Sequence, residues 1–211
     1  MTEIILIILA YLIGSIPTAV WISKSVFGID IREYGSGNSG ATNTFRILGS
    51  KWGSIVMLVD VTKGIIATSL YIFIPFYLTN ELAITNFMIA LGMMAILGHI
   101  FPIFANFRGG KGVATLLGMA LAIQPMVALI CLGVFLITLL STRFVSLSSM
   151  LAGVAFMVLI LFIFNERETV YRLFAIIVAL MVVITHQKNI GRLLNGTENK
   201  VPSFKNRLKR N

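Results

Sequence analysis

Long apolar runs separated by short polar segments dominate the pattern along the chain. The runs cover residues 4–23, about 52–77, about 82–104, 113–140, about 145–164 and 169–185. A helix of about 20 apolar residues crosses a bilayer core. The run 113–140 is too long for one crossing, and Gln124-Pro125 divides it, because proline lacks an N–H and disfavours helix at the residue before it. The pattern predicts an all-α integral membrane protein with seven transmembrane helices, two of them short helices from 113–140.

Composition supports a membrane protein and leaves no room for a separate soluble domain. Of the 211 residues, 57% are hydrophobic and 12% are charged, with a mean hydropathy of +0.94. We predict a single polytopic domain over residues 1–211. The first run lacks the basic leader and cleavage site of a signal peptide, so it is expected to be a retained helix. The one cysteine, Cys131, lies in an apolar run and excludes a disulfide framework or cysteine metal cluster.

The distribution of charge predicts the orientation of the chain. The net charge is +9, but basic residues are spread over loops without interleaved aromatics, so a nucleic-acid partner is not expected. With the N-terminus outside and the C-terminus cytoplasmic, all basic residues except Lys63, Arg167 and Arg172 lie on the cytoplasmic side, as the positive-inside rule favours. Three polar segments, residues 28–51, 106–112 and 186–200, then share the cytoplasmic face and can converge on one site.

The first segment contains GSGNSGATNTFR, which begins with the glycine spacing of a dinucleotide-binding turn. Asp60 follows at a distance that suits a ribose ligand, but it lies in a membrane run and no βαβ unit surrounds the motif, so NAD binding is not expected. Glycine N–H groups, small polar side chains and one guanidinium instead suggest an anion cradle. The candidate phosphate-binding residues are Gly37, Asn38, Asn43 and Arg46. The alternative is a helix-packing turn of small residues.

The second segment contains FRGGKGVAT and opens an apolar helix. Flexible glycines, a lysine and a helix N-terminus predict a second phosphate site at Gly109, Gly110, Lys111 and Gly112. It is not a Walker A loop, because Gly112 stands where a magnesium-binding Ser or Thr is required. A basic turn at the membrane surface is the alternative. His99, in the preceding helix, suits either helix packing or a direct chemical role.

The third segment, HQKNIGRLLNGTENK, follows the last run. If the helix continues, His186 and Asn189 lie on one face at the membrane boundary. The alternative is an amphipathic tail that meets anionic lipid. Glu198 is expected to fix the tail, and the terminal KNRLKR run to be a solvated, lipid-facing cluster.

Two charges fall inside the second run. Asp60 and Lys63 are costly in a membrane unless they pair, and their i, i+3 spacing permits this. We predict that they support the site by holding the second helix against the loops.

Together the three segments closely resemble the bacterial acyl-phosphate:glycerol-3-phosphate acyltransferases, the PlsY family, over nearly the full chain. The resemblance implies transfer of an acyl group from acyl phosphate to the 1-hydroxyl of sn-glycerol 3-phosphate. The products are lysophosphatidic acid and inorganic phosphate, in the first acylation of phospholipid synthesis. It implies no cofactor and no metal. One departure is Ser39, where proline is common in the family, which can loosen the turn.

The resemblance also assigns residues. It ties Ser36, Arg46, His186 and Asn189 to activity, with Ser36, His186 and Asn189 as catalytic residues, and it places the glycerol-phosphate site at the second segment. Neither histidine begins a His-x4-Asp motif, and no nucleophilic triad supports an acyl-enzyme. The acceptor of the hydroxyl proton is left open between His186 and a substrate phosphate, with the phosphate favoured.

The expected setting is the bacterial cytoplasmic (inner) membrane, with the active site facing the cytoplasm. We expect a monomer that is functionally linked to the enzyme producing acyl phosphate. Two other classes of protein fit the sequence less well. A transporter for phosphate-bearing solutes is disfavoured by the lack of an internal repeat, and a purely structural subunit leaves the three polar segments unexplained.

Overall fold

A computed structural model describes residues 1–74 and 80–201, and within these ranges the regular structure is helical with no strand. The α-helices are α1 Thr2–Gly14, α2 Thr18–Phe27, α3 Ala41–Ile47, α4 Ser50–Ser69, α5 Glu81–Ile100, α6 Val113–Ile123, α7 Pro125–Thr142, α8 Val145–Val158, α9 Thr169–Thr185 and α10 Gln187–Leu194. Short 3-10 helices cover Ile31–Glu33, Leu70–Phe73 and Ile103–Ala105, and a π-helical turn covers Leu159–Ile163.

Four helical stretches among the described residues are long and apolar enough to cross a membrane. They are Ser50–Phe73, Glu81–Ala105, Pro125–Thr142 and Val145–Ile163. Two bent pairs, α1 with α2 and α9 with α10, raise the number to six if each pair is one span. The predicted all-α membrane class is confirmed at this level, whereas seven spans and the placement of the termini stay predictions.

Two expected helices differ from the structure. The run 4–23 is not one helix: α1 and α2 meet at 42° across a break at residues 15–17, because Pro17 cannot continue the helix. The break at Gln124 is confirmed, but only α6 is short, since α7 has 18 residues and is long enough to cross alone. The predicted end of the second run and the terminal KNRLKR segment lie outside the described residues.

The chain divides into two compact units, Met1–Pro125 and a second unit that begins at Met126. A single domain over 1–211 stays a prediction. In the first unit, small residues bring helices close together. A Cβ on Gly64 would meet the Thr115 carbonyl of α6, and one on Gly118 would meet the Val61 carbonyl of α4. Glycine at these contacts therefore lets the backbones of α4 and α6 pack directly.

In the second unit, α8 and α9 form the core. Phe156 packs edge-on against Phe174 at a centroid distance of 5.8 Å, and Gly153 leaves room for Val182. The π-helical turn extends α8 beyond Val158. This pairing places the end of α9, and with it the third segment, in the second unit.

Candidate active site

The first segment begins where α2 ends, at Gly28 in the left-handed conformation (φ 65°). Asp30 then starts a 3-10 helix by accepting the Arg32 N–H at 3.0 Å. Ile31 is fully buried against Val20 and Val56, which anchors this turn on α2 and α4. The segment is thus a loop held in place by a hydrogen bond and by a buried side chain.

The buried side chain of Asn43 binds three backbone groups of the loop. Its Oδ1 accepts the Ser36 N–H at 2.9 Å, and its Nδ2 donates to the Ile31 and Tyr34 carbonyls at 3.1 and 2.9 Å. The side chain is buried, with 1% of its surface exposed. The amide is therefore used to shape the loop backbone, and a direct phosphate contact by Asn43, expected from the sequence, stays a prediction.

The other candidate residues of the first segment lie nearer the surface. Ser36, Gly37 and Arg46 are exposed, and Asn38 is half-buried. Gly37 has φ 71° and donates its N–H to the Tyr34 carbonyl at 3.1 Å, so it forms a turn that other residues adopt at a cost. Arg46 lies in the last turn of α3, where its guanidinium can meet an anion from solution.

In the second segment, the chain reverses direction after α5. The Gly109 N–H donates to the Ile100 carbonyl and the Gly110 N–H donates to the His99 carbonyl, both at 3.1 Å. Both N–H groups already donate to carbonyls at the end of α5, so they do not serve as the N–H donors expected to bind an anion. Phosphate binding at Gly109 and Gly110 stays a prediction, and it would have to use atoms other than these two N–H groups.

A steric requirement explains glycine at both positions. A Cβ on Gly109 would collide with the His99 and Ile100 carbonyls, and a Cβ on Gly110 would collide with the His99 imidazole. Gly112 has φ 80° and precedes α6, and Lys111 is half-buried beside it. The glycines let the chain lie flat on the end of α5 and then enter α6.

Arg32 joins the first two segments. Its Nη1 donates to the Ala105 carbonyl at 2.8 Å, while Nε and Nη2 donate to the two Asp30 oxygens at 2.9 and 2.6 Å. The hydrogen bonds from Arg32 hold the pKa of Asp30 well below its usual range, against the opposing effect of burial. Neither residue had a predicted site role, although the Asp-x-Arg spacing is a signal of such a local pair.

A buried polar cluster lies below the glycines. Lys63 Nζ is 2.8 Å from Asp60 Oδ1, as the i, i+3 spacing predicted, and it also donates to the Ile16 carbonyl at 3.1 Å. That carbonyl lies at the break between α1 and α2. Thr18 Oγ1 donates to Asp60 at 3.5 Å. His99 Nδ1 lies 3.7 Å from Asp60 Oδ1 and makes no hydrogen bond within residues 1–74 and 80–201.

These groups line a small pocket within the first unit. Its polar walls come from Thr18, Asp60, Lys63 and His99 together with Ser39 of the first segment, and Gly109 and Gly110 lie at the same pocket. The structure therefore brings the first and second segments together. It also adds Ser39 and Thr18, which sequence analysis did not select. Over the described part of the chain, no three His, Cys, Asp or Glu side chains form a metal-binding group.

The third segment belongs to the second unit. The helix does not continue straight through His186: α9 and α10 meet there at 59°. His186 Nδ1 lies 2.7 Å from the Val182 carbonyl. A carbonyl can only accept, so Nδ1 carries the proton and Nε2 is the acceptor of the neutral ring. Convergence of this segment with the other two stays a prediction.

Glu198 fixes the chain that follows α10. It accepts hydrogen bonds from Asn189 Nδ2 at 2.6 Å, Ser146 Oγ at 2.8 Å and Arg192 Nε at 2.7 Å. Burial acts to raise the pKa of Glu198, but these hydrogen bonds outweigh it and the pKa is lowered. Its expected supporting role is consistent with this geometry, and it also orients the amide of Asn189.

Comparison with known proteins identifies the family. A family model described as "Glycerol-3-phosphate acyltransferase" matches residues 4–196. The chain belongs to the glycerol-3-phosphate acyltransferase family. This confirms the family that the three segments indicated.

Relatives match along almost their whole length. The chain is 44% identical over 195 residues to the glycerol-3-phosphate acyltransferase of Fusobacterium nucleatum subsp. nucleatum, covering 92% of this chain and 95% of that protein. It is 47% identical over 199 residues to glycerol-3-phosphate acyltransferase 2 of Bacillus anthracis, covering 94% and 99%. The family thus extends over both units of the structure.

Two solved structures show the same fold. Both are described as PlsY (YgiH), an integral membrane glycerol 3-phosphate acyltransferase. In its glycerol 3-phosphate form that protein is 35% identical to this chain, with a TM-score of 0.85 over 97% of this chain and 98% of its own. In its lysophosphatidic acid form the TM-score is 0.80, with 96% of each chain covered. Together with the apolar helices, this likeness makes the chain an integral membrane protein.

Proposed function

We propose that this protein transfers an acyl group from acyl phosphate to the 1-hydroxyl of sn-glycerol 3-phosphate. The observation that carries the proposal is the family match over both units, together with a relative of TM-score 0.85 that is described in a glycerol 3-phosphate form. A second form of that relative is described with lysophosphatidic acid, the product of such a transfer. The donor is proposed from the resemblance of the three segments to acyl-phosphate-dependent enzymes.

The proposed reaction is a direct transfer. The 1-hydroxyl oxygen of glycerol 3-phosphate attacks the acyl carbonyl carbon and forms the new ester bond. The bond from that carbon to the phosphate oxygen breaks, and inorganic phosphate leaves. Both substrates carry phosphate, so the site needs positive charge more than it needs a nucleophile of its own.

The charged groups of the first unit suit this requirement. Arg46 is exposed on α3 with a guanidinium that can fork onto phosphate oxygens, and Lys111 precedes α6, whose N-terminal N–H groups favour an anion. We assign the glycerol phosphate to the second segment at Lys111 and Gly112. Gly37 and Asn38 line the exposed turn beside Ser36, so they are assigned to phosphate binding with Arg46.

Ser36 is assigned a catalytic role through its hydroxyl. Its side chain is exposed, and its N–H is already bound to Asn43, so the hydroxyl is presented by a fixed backbone. A hydroxyl held in this way orients a substrate phosphate or carbonyl without a change in the loop.

His186 and Asn189, in the second unit, are assigned to the reaction from the motif match. The tautomer of His186 makes Nε2 an acceptor, which suits either removal of the hydroxyl proton or a hydrogen bond that orients the hydroxyl. We favour a substrate phosphate as the proton acceptor. A pH profile decides: if His186 is the base, the acidic limb of kcat disappears in His186→Gln, and if the phosphate is the base, the limb persists.

The proposed setting is the bacterial cytoplasmic membrane, with seven crossings, the N-terminus outside and the site facing the cytoplasm. The excess of basic residues in the segments 28–51, 106–112 and 186–200 supports this orientation. A monomer suffices for the reaction as proposed. An enzyme that forms acyl phosphate is the expected functional partner.

The deciding experiment measures phosphate release and lysophosphatidic acid formation by the purified protein. Palmitoyl phosphate is supplied with and without glycerol 3-phosphate. We expect release that depends on glycerol 3-phosphate and yields one lysophosphatidic acid per phosphate. Folded protein that releases no phosphate would refute the proposal.

A matched pair of serine variants localises the activity. Ser36→Ala keeps the N–H bond to Asn43 and removes only the hydroxyl, so activity should fall by about a hundredfold if that hydroxyl meets the reacting groups. Ser54→Ala, on the exposed face of α4, should retain full activity. Equal activity in the two variants would remove Ser36 from the site.

A further inference from the structure

Arg32 uses three guanidinium nitrogens at once. Nε and Nη2 bind the two Asp30 oxygens at 2.9 and 2.6 Å, and Nη1 binds the Ala105 carbonyl at 2.8 Å. Only 11% of the Arg32 side chain is exposed. A planar fork that is buried and held on one side by a carboxylate has little freedom, so it fixes the position of the third partner. That partner begins the glycine turn, defined here as residues 105–112.

The second cation near Asp30 does not do the same. Lys24 Nζ lies 3.1 Å from Asp30 Oδ2, but 54% of its side chain is exposed, and among the described residues it forms no hydrogen bond or ion pair with the glycine turn. Asp30 keeps its charge because its pKa is held well below the usual range by the hydrogen bonds from Arg32. Asp30 and Arg32 therefore act as one rigid unit, with Lys24 as an exposed neighbour.

The glycine turn has a backbone that needs support. Asn106 and Phe107 are both left-handed, with φ 54° and 57°, which costs free energy in residues that carry a Cβ. The Ala105 carbonyl accepts both the Arg108 N–H at 3.2 Å and Arg32 Nη1. Arg32 thus stabilises the carbonyl on which this strained reversal begins.

The reversal determines where the glycines lie. After Phe107 the chain returns to the end of α5, where the Gly109 and Gly110 N–H groups bind the Ile100 and His99 carbonyls. Lys111 follows directly. A shift at Ala105 is therefore passed along a few residues to the group that we assign to the glycerol phosphate.

We infer that Arg32 is a positioning residue, which holds the glycine turn in place for glycerol 3-phosphate without touching the substrate. The inference depends on the proposed function for its kinetic consequence. It assigns Asp30 as the residue that orients the guanidinium. It also explains how the first segment and the second segment keep a fixed separation within the first unit.

The test compares Arg32→Lys with Lys24→Gln in the full-length protein. A lysine ammonium cannot bind both Asp30 oxygens and the Ala105 carbonyl in the fork geometry. We expect the KM for glycerol 3-phosphate to rise about tenfold in Arg32→Lys, as loss of a hydrogen bond to a charged group predicts. The KM for palmitoyl phosphate and the kcat should change less than about threefold, and Lys24→Gln should match the wild type.

A second measurement does not need turnover. Amide hydrogen exchange of the detergent-purified protein should become faster at Gly109 and Gly110 in Arg32→Lys, while exchange in α8 and α9 should be unchanged. If Arg32→Lys fails to fold, Asp30→Asn is used in its place. We then expect a smaller rise in the KM for glycerol 3-phosphate and a smaller increase in exchange at Gly109 and Gly110.

The possible outcomes separate the two proposals. Absence of acyl transfer by the wild type refutes the proposed function. The exchange experiment alone then tests whether Arg32 holds the glycine turn in place. Active wild type with an unchanged KM for glycerol 3-phosphate in Arg32→Lys overturns the inference. Equal loss for both substrates, or exchange that rises throughout the chain, overturns it as well, because both show a general structural defect.

Discussion

At the scale of single residues, glycine at 109 and 110 lets the backbone pack closely against the end of α5. Both N–H groups are bound to the end of α5, and both Cα atoms pack where a Cβ would collide with His99 or the neighbouring carbonyl. A glycine-rich motif beside a lysine looks the same in the sequence whether its N–H groups face a ligand or the protein. Only the hydrogen-bond partners distinguish the two cases.

Gly110→Ala should therefore act by displacing His99. The added methyl group meets the imidazole, and overpacking of this kind destabilises by about 1–3 kcal/mol. We expect a lower melting temperature in detergent and a raised KM for glycerol 3-phosphate. Gly133→Ala is the control, because a Cβ there meets nothing within 4 Å. Equal melting temperatures for the two variants would contradict the packing seen at Gly110.

Glu198 gives a prediction about pH. Its pKa is lowered in the folded protein, so its contribution to stability is present above the unfolded value of about 4.3 and is lost as the pH falls through the folded value. Glu198→Gln should cost about 2 kcal/mol at neutral pH, because three hydrogen bonds lose a charged acceptor. The gap in melting temperature between wild type and variant should therefore persist down to about pH 4 and shrink only as the pH is lowered further.

The control for this pH dependence is Glu33→Gln, since Glu33 is exposed on the 3-10 helix of the first segment. The melting temperature of this variant should equal that of the wild type throughout the pH range. A gap for Glu198→Gln that stays constant between neutral and acid pH would show that the carboxylate charge is not what the partners bind.

At the scale of secondary-structure elements, prolines are visible in the sequence, but only one of the two helix breaks that they cause was predicted. Pro125 divides α6 from α7 as predicted, because proline effects act locally. Pro17 is equally visible, yet the length of the apolar run 4–23 favours one helix. The break there is supported by a contact 47 positions away in the chain, from Lys63 Nζ to the Ile16 carbonyl. No local pattern contains that information.

Lys63→Met tests this support. It leaves Asp60 charged and buried and the Ile16 carbonyl without its donor, so we expect a loss of about 3–5 kcal/mol in the free energy of unfolding. The double variant Asp60→Asn with Lys63→Met removes the unpaired charge and should recover most of that loss. Thermal or denaturant unfolding in detergent measures both.

Lys51→Met is the matched control on the same helix. Lys51 lies over the Trp52 ring at 5.3 Å on an exposed surface, and its loss should cost no more than about 0.5 kcal/mol. If the double variant were as unstable as Lys63→Met alone, the charge on Asp60 would not be the source of the defect.

At the scale of the whole molecule, the number of crossings depends on α6. With 11 residues it spans roughly 17 Å at 1.5 Å per residue, well short of a bilayer core of about 30 Å. The orientation proposed from the basic residues requires an odd number of crossings, so α6 and the residues around it must cross together. Length and composition by themselves support four to six spans.

Cysteine labelling tests the orientation. In a Cys131→Ser background, single cysteines at Thr2 and Asn195 are treated in intact cells with a membrane-impermeant maleimide. We expect labelling of Thr2→Cys only, with Asn195→Cys labelled after the cells are opened. Labelling of both positions, or of neither, in intact cells would indicate an even number of crossings and contradict the proposed topology.

The amino-acid sequence alone was sufficient to predict the membrane class, the approximate helices, the three polar segments and the family. These properties depend on hydrophobic run length, on proline and on motifs that are contiguous in the chain, so short-range patterns carry them. It also determined the pairing of Asp60 with Lys63, because an i, i+3 spacing on a helix fixes proximity.

The three-dimensional structure was needed to show which polar groups are bound inside the protein. The amide of Asn43 and the N–H groups of Gly109 and Gly110 are consumed inside the fold, whereas Arg32 reaches 73 positions along the chain to hold Ala105. Each donor in the sequence has several possible acceptors, and packing of distant helices selects one of them. Hydrogen-bond partners across such distances are set by the three-dimensional arrangement, which is why the organisation of the two glycine segments became visible only there.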